Sequence, residues 1–305
     1  MAANLLKAGY GLVVHDIRRE AATALEQNGA IWADTPRALT EQSEVVITSL
    51  PSLRAIEEVA LGPDGIIVGI RPGQAYFEMS TNSLELAKRL HAAFAERRAH
   101  MLEAPVSGGA IGAAQGKMAI WVGGDKATYQ RYEDVLLAMG NKTRHIGAFG
   151  AGLVTKMAHN CASAMINAVL GEVFTMAVKA GAEPLALWEA VRQGVVGRRR
   201  TFDSLASNFL PSIYEPTSAA LRILYKDVLV TTELAHQIGV TMPHAEIALS
   251  DLQEAMNRGW ADRDRRVTML LQQERVGVEI AVDPKAITEV LRRDPLAPTD
   301  VASAL

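Results

Sequence analysis

Short apolar runs alternate with stretches of helical periodicity over the first half of the chain. β-prone runs occur at 12–15, 45–48, 75–78, 100–103 and 118–122. Helix-period stretches lie between them, at about 17–28, 53–60, 83–97 and 125–138. Strands that alternate with helices predict βαβ units and a mostly parallel sheet, and wholly apolar strands fit a sheet that is buried on both faces.

The second half has a helical pattern throughout. Residues 153–180 predict one helix about 40 Å long, and no Asp, Glu, Lys or Arg occurs from Met157 to Gly171. Such a helix is expected to be buried at a domain or subunit interface. Further predicted helices lie at about 184–193, 202–209, 217–238, 243–258 and 262–274, with a last one from Pro284.

The chain begins inside a predicted helix that ends at Gly9, although a βαβ series would place a strand before that helix. We therefore predict an α/β Rossmann-type domain whose first strand is missing, followed by an all-α domain. The predicted bounds are 1–148 for the first domain, 149–275 for the helical domain and 276–305 for a C-terminal tail.

Composition excludes several classes of protein. The 305 residues are 49% apolar and 21% charged, with a net charge of −3 and a mean hydropathy of +0.08, which are values typical of a globular protein. The absence of a long apolar window or basic run argues against membrane and nucleic-acid partners. Cys161 is the only cysteine, so we expect neither an internal disulfide nor a metal site built from cysteines. No signal-peptide pattern opens the chain, which leads us to expect a cytoplasmic location.

Lys156 is the only charge in the first turns of the long apolar helix, and Asn160 lies one turn further on. Burial lowers the pKa of a lysine and suits it to proton transfer near neutral pH. The alternative is a lysine that extends from the first turn to solvent.

A glycine-rich segment from Pro105 to Gly116 follows a predicted strand. Glycines let backbone amides approach a ligand closely, and successive amides can hold an anion. Ser107, Gly108 and Gly109 are therefore candidates for binding a carboxylate, although a plain glycine-rich turn would have a similar sequence.

Residues at the ends of predicted strands are candidates for cofactor contacts. Asp16 stands where an acid binds the adenosine ribose diol in dinucleotide-binding sheets, whereas the neighbouring Arg18 and Arg19 would suit a 2′-phosphate. Ordinary turn or capping chemistry is the alternative for Asp16. Segments 50–52 and 80–82 also end strands, where open α/β sheets bind ligands.

Two charged segments in the helical half have simpler interpretations. Lys226 and Asp227, taken alone, are expected to form a surface ion pair. The arginines at 198–200 are expected to form a solvated turn, or to attract an anionic substrate.

Taken together and in this order, these motifs resemble the β-hydroxyacid dehydrogenase family. The resemblance covers about residues 1–275. It rests on segment 103–109 with its following glycines, on 150–160, on 226–228, on Leu50 and Pro51, and on Thr81 and Asp16.

The resemblance implies an NAD-dependent enzyme, with NADP possible, that transfers hydride between the cofactor and a small anionic 3-hydroxy acid or its aldehyde. Lys156 would be the catalytic acid and base, and Ser107, Gly108, Gly109 and Asn160 would bind substrate. The implied cofactor contacts come from Asp16, Leu50, Pro51, Thr81 and Lys226. It also implies a homodimer or homotetramer.

Two alternatives remain. Residues 156–160 also resemble the 6-phosphogluconate dehydrogenases, which decarboxylate their substrate. The family opens with a strand and a glycine-rich phosphate loop that the chain does not contain, and without them we expect weaker cofactor binding and lower domain stability. The missing segment indicates either a start codon assigned too far downstream or a non-catalytic remnant that acts through its helical domain.

Overall fold

The computed structural model describes residues 1–179, 181–193, 205–237 and 242–293. The chain divides into two compact units, Met1–His159 and Asn160–Leu305. The arginines at 198–200, the start of the helix predicted at 202–209 and the chain beyond Arg293 lie outside the described residues.

Unit 1 alternates helices and strands, as the apolar pattern predicts. Its elements are α1 (Ala2–Lys7), β1 (Val13–Val14), α2 (Thr23–Glu26), β2 (Ile31–Trp32), α3 (Pro36–Gln42), β3 (Val45–Thr48), α4 (Leu53–Leu61), α5 (Ile66–Gly69), β4 (Ala75–Glu78), α6 (Leu84–Glu96), β5 (His100–Glu103), β6 (Val106–Ser107), α7 (Gly109–Gln115), β7 (Ala119–Gly123), α8 (Lys126–Arg131), α9 (Glu133–Met139), β8 (Lys142–Gly147) and the start of α10 (Ala151–Lys179).

The strands of unit 1 form two separate sheets. β1 and β2 pair in parallel, and a second sheet has the order β3-β4-β5-β7-β6, with β8 paired to β7. A doubly wound dinucleotide-binding sheet has the strand order 3-2-1-4-5-6. β2 and β1 match positions 3 and 2, and β3, β4 and β5 match positions 4, 5 and 6. No strand of the described chain takes the central position.

The prediction of a mostly parallel sheet holds for β3, β4 and β5, but β7 runs antiparallel to β5 and β6. β2, β6 and β8 were not predicted. β2 and β6 have two residues each, and β8 has polar residues along most of its length, so none of the three presents an apolar run.

Side chains that alternate along β4 bury both faces of the larger sheet. Ala75 and Phe77 belong to one apolar cluster, with Leu102 of β5, whereas Tyr76 belongs to a second cluster, with Val46 of β3. All four residues of β4 are buried. Full burial of such a side chain stabilises the fold by about 1.5–3 kcal/mol, so this strand anchors the unit.

Unit 2 has no β-strand among its described residues, apart from one isolated bridge between Ala220 and Asp264. Its elements are the remainder of α10, α11 (Pro184–Gln193), α12 (Leu221–Gln237), α13 (Pro243–Asn257), α14 (Thr268–Val276) and α15 (Pro284–Arg293). One apolar cluster joins Leu170, Trp188 and Phe209, and another joins Leu221, Val228 and Leu252.

The structure bears on two expectations for this half. The predicted tail, residues 276–305, includes α15, which begins at Pro284 as predicted and buries Ile287 and Val290 in the core of unit 2. Within the chain, α10 leaves Val154, Ile166 and Val169 43%, 43% and 45% exposed, so its burial at a domain or subunit interface stays a prediction. Among the described helices, none is long and apolar enough to cross a membrane.

Candidate functional site

The glycine-rich segment adopts a backbone that other residues would strain. Ser107 ends β6, Gly108 has φ 145° and Gly109 has φ 62° as α7 begins. A Cβ at Gly108 would lie 2.9 Å from the sulfur of Met118, whereas a Cβ at Gly109 would meet no atom within 4 Å. The loop is therefore closely packed at Gly108 and open at Gly109, which suits the approach of a small ligand to its backbone.

Lys156 and Asn160 lie one turn apart on α10. Lys156 is half-buried, and Asn160 is 5% exposed. A half-buried position differs from the deep burial that the apolar pattern of the helix suggests for Lys156. A half-buried lysine in general combines an apolar stem with a charged head near water, which suits a group that exchanges protons.

Glu103, at the end of β5, is a buried acid that we did not single out from the sequence. Its carboxylate accepts hydrogen bonds from the backbone amides of Gly123 at 3.1 Å, Gly150 at 2.5 Å and Gly152 at 3.2 Å. Burial raises the pKa of Glu103 to about 7, against the opposing effect of these amide donors and that of Leu153. The signal in the sequence was an acid at the end of an apolar strand followed closely by the glycine-rich segment.

Asp16 follows β1 and remains partly exposed. It accepts a hydrogen bond from the backbone amide of Arg18 at 2.9 Å, and the Arg18 side chain lies 3.9 Å from the same oxygen. Arg19 instead makes a two-point contact with Glu26 and stacks over Trp32 at 4.3 Å. Asp16 thus combines a turn contact with an exposed carboxylate, and Arg19 is engaged elsewhere.

The ends of β3 and β4 are joined by a hydrogen bond. The backbone amide of Leu50 donates to the hydroxyl of Ser80 at 2.7 Å, and the Ser80 amide donates to Glu78 at 2.8 Å. Pro51 is exposed and Thr81 is buried. Since Ser80 accepts from the Leu50 amide, the backbone contact predicted for Leu50 would use its carbonyl oxygen.

Asn82 lies in segment 80–82, which the sequence indicates as a place for ligand contacts. It is 1% exposed, and neither polar atom of its side chain has a hydrogen-bond partner within the described part of the chain. Unmatched buried amides are rare in native proteins. The end of β4 therefore carries spare hydrogen-bonding capacity beside Thr81.

The strand ends fit a nicotinamide dinucleotide in their chemistry. Asp16 offers hydrogen-bond acceptors for a ribose diol. Leu50, Pro51 and Thr81 follow the carboxyl ends of the parallel strands β3 and β4, where such cofactors bind. Within the described ranges, no group of three or more His, Cys, Asp or Glu side chains could hold a metal ion.

Asp227 joins two predicted site residues of unit 2. The side-chain amide of Asn160 donates a hydrogen bond to Asp227, and the Lys226 ammonium lies 3.1 Å from the other oxygen of that carboxylate. Asp227 is 3% exposed. The prediction that Lys226 and Asp227 form a surface ion pair is therefore wrong, because the packing of α12 buries Asp227 and most of the Lys226 side chain within unit 2. Asn160 and Asp227, 67 positions apart in the sequence, thus meet through one buried carboxylate.

Family models match most of the chain. Residues 1–147 match the NAD-binding domain of 6-phosphogluconate dehydrogenase, and residues 150–271 match the NAD-binding domain of NADP-dependent 3-hydroxyisobutyrate dehydrogenase.

Characterised relatives and solved structures agree with these models. The chain is 33% identical to an NAD-dependent L-serine dehydrogenase of Pseudomonas aeruginosa over 89% of its own length and 93% of the relative. It is 26% identical to a 2-(hydroxymethyl)glutarate dehydrogenase of Eubacterium barkeri, over 92% and 93%. The crystal structure of a 3-hydroxyisobutyrate dehydrogenase from Salmonella typhimurium superposes with a TM-score of 0.78 at 27% identity, over 88% and 94%.

Proposed function

Because the chain belongs to the β-hydroxyacid dehydrogenase family, an NAD(P)-dependent oxidoreductase family that acts on small hydroxy acids, we propose that it oxidises a 2-substituted 3-hydroxypropanoate to the corresponding aldehyde. The proposal names both the alcohol that reacts and the carboxylate that is recognised. The substituent at carbon 2 is left open.

The names of the relatives support this substrate class. L-Serine, 3-hydroxyisobutyrate and 2-(hydroxymethyl)glutarate are the compounds in those names. In all three compounds, a CH₂OH group and a carboxylate are attached to the same carbon. They differ in the group on that middle carbon, which is an ammonium, a methyl or a carboxyethyl group. The shared part of the molecule is what a common catalytic apparatus would recognise.

In the proposed mechanism, the carboxylate of the substrate binds to the Ser107 hydroxyl and to the backbone amides of Gly108 and Gly109, with Asn160 as a further contact. The Lys156 amine takes the proton of the substrate hydroxyl as hydride leaves the adjacent carbon. In the reverse direction, the Lys156 ammonium returns that proton to the aldehyde oxygen. The open side of Gly109 supports the first step, since an anion could approach there without a clash.

Bound NAD(P) supplies the hydride acceptor. The proposed contacts to it come from Asp16 at the ribose diol, the backbone of Leu50 and Pro51, and the side chains of Thr81 and Lys226. An exposed carboxylate at Asp16 would repel a 2′-phosphate, and Arg19 is held by Glu26, so we propose that NAD is preferred over NADP.

The observation that carries the proposal is the meeting of Asn160 and Lys226 at Asp227. Asn160 is the proposed substrate contact and Lys226 the proposed cofactor contact. Since hydride transfer requires the two reactants within contact distance, residues assigned to each are expected to lie together.

The test is a panel of L-serine, 3-hydroxyisobutyrate and 2-(hydroxymethyl)glutarate, each assayed with NAD and with NADP by the absorbance of the reduced cofactor. We expect turnover of at least one member with NAD, and its loss in the Lys156→Ala variant. Absence of turnover with all members, in protein shown to be folded by circular dichroism, would contradict the proposal.

A second candidate is oxidative decarboxylation of a 6-phosphogluconate-like substrate, which the family model for residues 1–147 favours. The model for residues 150–271, which include Lys156 and Asn160, favours a hydroxyacid dehydrogenase instead. Adding 6-phosphogluconate to the panel and measuring released carbon dioxide separates the two reactions.

For assembly we propose a homodimer or homotetramer. Val154, Ile166 and Val169 leave apolar area of α10 exposed, and such area favours association between subunits. Light scattering after size exclusion tests the state. The cytoplasmic location stays a prediction, which cell fractionation would test.

A further inference from the structure

The buried carboxylate of Glu103 connects two parts of unit 1 that carry proposed site residues. On one side, β5 ends at Glu103, and Ser107 follows four residues later. On the other, Glu103 accepts hydrogen bonds from the amides of Gly150 and Gly152 at the start of α10, and Lys156 lies four residues after Gly152. The same side chain thus contacts the beginnings of both segments.

The contact satisfies donors that the helix cannot satisfy itself. The first amides of an α-helix have no intrahelical acceptor, and a negative charge at that end is favoured by the helix dipole. Glu103 accepts from Gly150 and Gly152, and from Leu153 as well. The first backbone amides of the 29-residue helix α10 therefore donate hydrogen bonds to the carboxylate of Glu103, which ends β5.

The surrounding backbone leaves room for this carboxylate and for little else. A Cβ at Gly123 would lie 2.0 Å from one carboxylate oxygen of Glu103, and a Cβ at Gly152 would lie 2.4 Å from the other. Both separations are far below contact distance. Glycine is thus required at two positions so that the acid can reach the amides, which marks a built arrangement instead of a chance contact.

We propose that Glu103 is a positioning residue that fixes the first turn of α10 against the strand leading to Ser107, and thereby sets where the Lys156 amine lies. The inference rests on the proposed role of Lys156 in proton transfer. Glu103 touches neither substrate nor cofactor in this scheme. Its effect arises because misplacement of a reacting group by about 1 Å can cost about 100-fold in rate.

The experiment uses Glu103→Gln, which keeps the size of the side chain but loses the charge and places an amide donor among backbone donors. We expect kcat to fall about 10- to 100-fold, while KM for the hydroxy acid and Kd for NAD change less than about 3-fold. Glu103→Asp keeps the charge and is expected to recover part of the lost kcat. Glu57→Gln, at an exposed ion pair with Arg89, is the matched control and should retain wild-type kcat.

A second measurement does not depend on turnover. In protein without ligand, the rate at which an amine-reactive reagent modifies Lys156 is followed by peptide mass spectrometry. We expect Glu103→Gln to change this rate at least about 3-fold, with the rates at the exposed Lys126 and Lys142 unchanged. If circular dichroism shows that Glu103→Gln does not fold, both kcat and the modification rate of Lys156 are measured in Glu103→Asp. We then expect its kcat to lie between those of wild type and Lys156→Ala.

The outcomes separate the two proposals. Wild-type kcat in Lys156→Ala would overturn the proposed function, and the positioning role with it. An inactive Lys156→Ala variant, together with wild-type kcat and wild-type Lys156 modification in Glu103→Gln, would overturn the positioning role alone.

Discussion

Asn160 donates its side-chain amide hydrogen bond to Asp227, a carboxylate that is 3% exposed and belongs to another helix. A hydrogen bond between the amide nitrogen and a fixed acceptor determines which way the amide faces. Asn160 therefore presents its remaining polar groups in a set orientation, and Asp227 is the residue that sets it.

Replacing Asp227 by Asn removes the charge that holds both Asn160 and Lys226. We expect kcat/KM for the hydroxy acid to fall about 10- to 100-fold, because removing one partner leaves a poorly compensated buried cation. Steady-state kinetics measures the effect. Asp262→Asn is the control, since Asp262 pairs with Arg222 at 2.8 Å but is 84% exposed. Equal kinetics in the two variants would argue against the orienting role of Asp227.

Replacing Lys156 by Ala removes the proposed acid and base. We expect kcat to fall about 100- to 10,000-fold, the range typical of a lost proton-transfer group, with Kd for NAD within about 3-fold of wild type. Rapid kinetics and calorimetry measure the two quantities. The exposed Lys126→Ala serves as the control. If Lys156→Ala lost NAD affinity and kcat together, the residue would have a structural role instead.

Replacing Asp16 by Ser removes the carboxylate that faces the proposed ribose site. We expect the ratio of kcat/KM for NAD to that for NADP to fall about 10- to 100-fold, because a nearby negative charge no longer repels the 2′-phosphate. Kinetics with both cofactors measures the ratio, and Asp64→Ser, at an exposed aspartate, is the control. An unchanged ratio would assign Asp16 to its turn contact with Arg18 alone.

The raised pKa of Glu103 makes stability depend on pH. Burial raises this pKa from 4.5 to about 7, so the folded protein holds the proton more tightly than the unfolded chain does. The resulting stabilisation is complete below the unfolded pKa and is lost as pH rises through the folded one. As pH rises from 4.5 to about 7, we expect the free energy of unfolding of wild type to fall by about 3 kcal/mol relative to that of Glu103→Gln.

Urea unfolding of both proteins across this pH range measures the difference. Glu57→Gln, whose side chain is half exposed, should follow wild type at every pH. A difference between wild type and Glu103→Gln that stays constant with pH would show that Glu103 does not titrate there.

Apolar runs predicted much of unit 1 because its central strands are buried on both faces. The bounds of β3, β4 and β5 agree with the predicted runs to the residue. β8 escaped prediction because residues 142–147 are mostly polar and pair with β7 at the side of the sheet. The reversed direction of β7 likewise depends on pairing with distant residues, which no local pattern specifies.

Site residues could be predicted from the sequence where their type is rare among their neighbours. They could not be predicted where their role depends on burial by distant parts of the chain. Lys156 stands out in an apolar helix, and the glycines at 108 and 109 adopt positive φ angles that explain their presence. Asp227 was misread because two adjacent opposite charges usually lie on a surface, and only the packing of α12 buries them. The acid of Glu103 after an apolar strand is visible in the sequence, but its partners are backbone amides, which no residue type reveals.

The glycines around Glu103 have a consequence for how this chain can vary. Ala at position 123 would place its Cβ 2.0 Å from the Glu103 carboxylate, so position 123 cannot gain a side chain while the acid at 103 is present. Shortening position 103 to Ala would remove this clash and leave the backbone oxygen of Ala148, at 3.0 Å, as the next contact of a Cβ at 123. Among homologous sequences, the residues at 103 and 123 should therefore covary, with a side chain at 123 found only where the acid at 103 is absent.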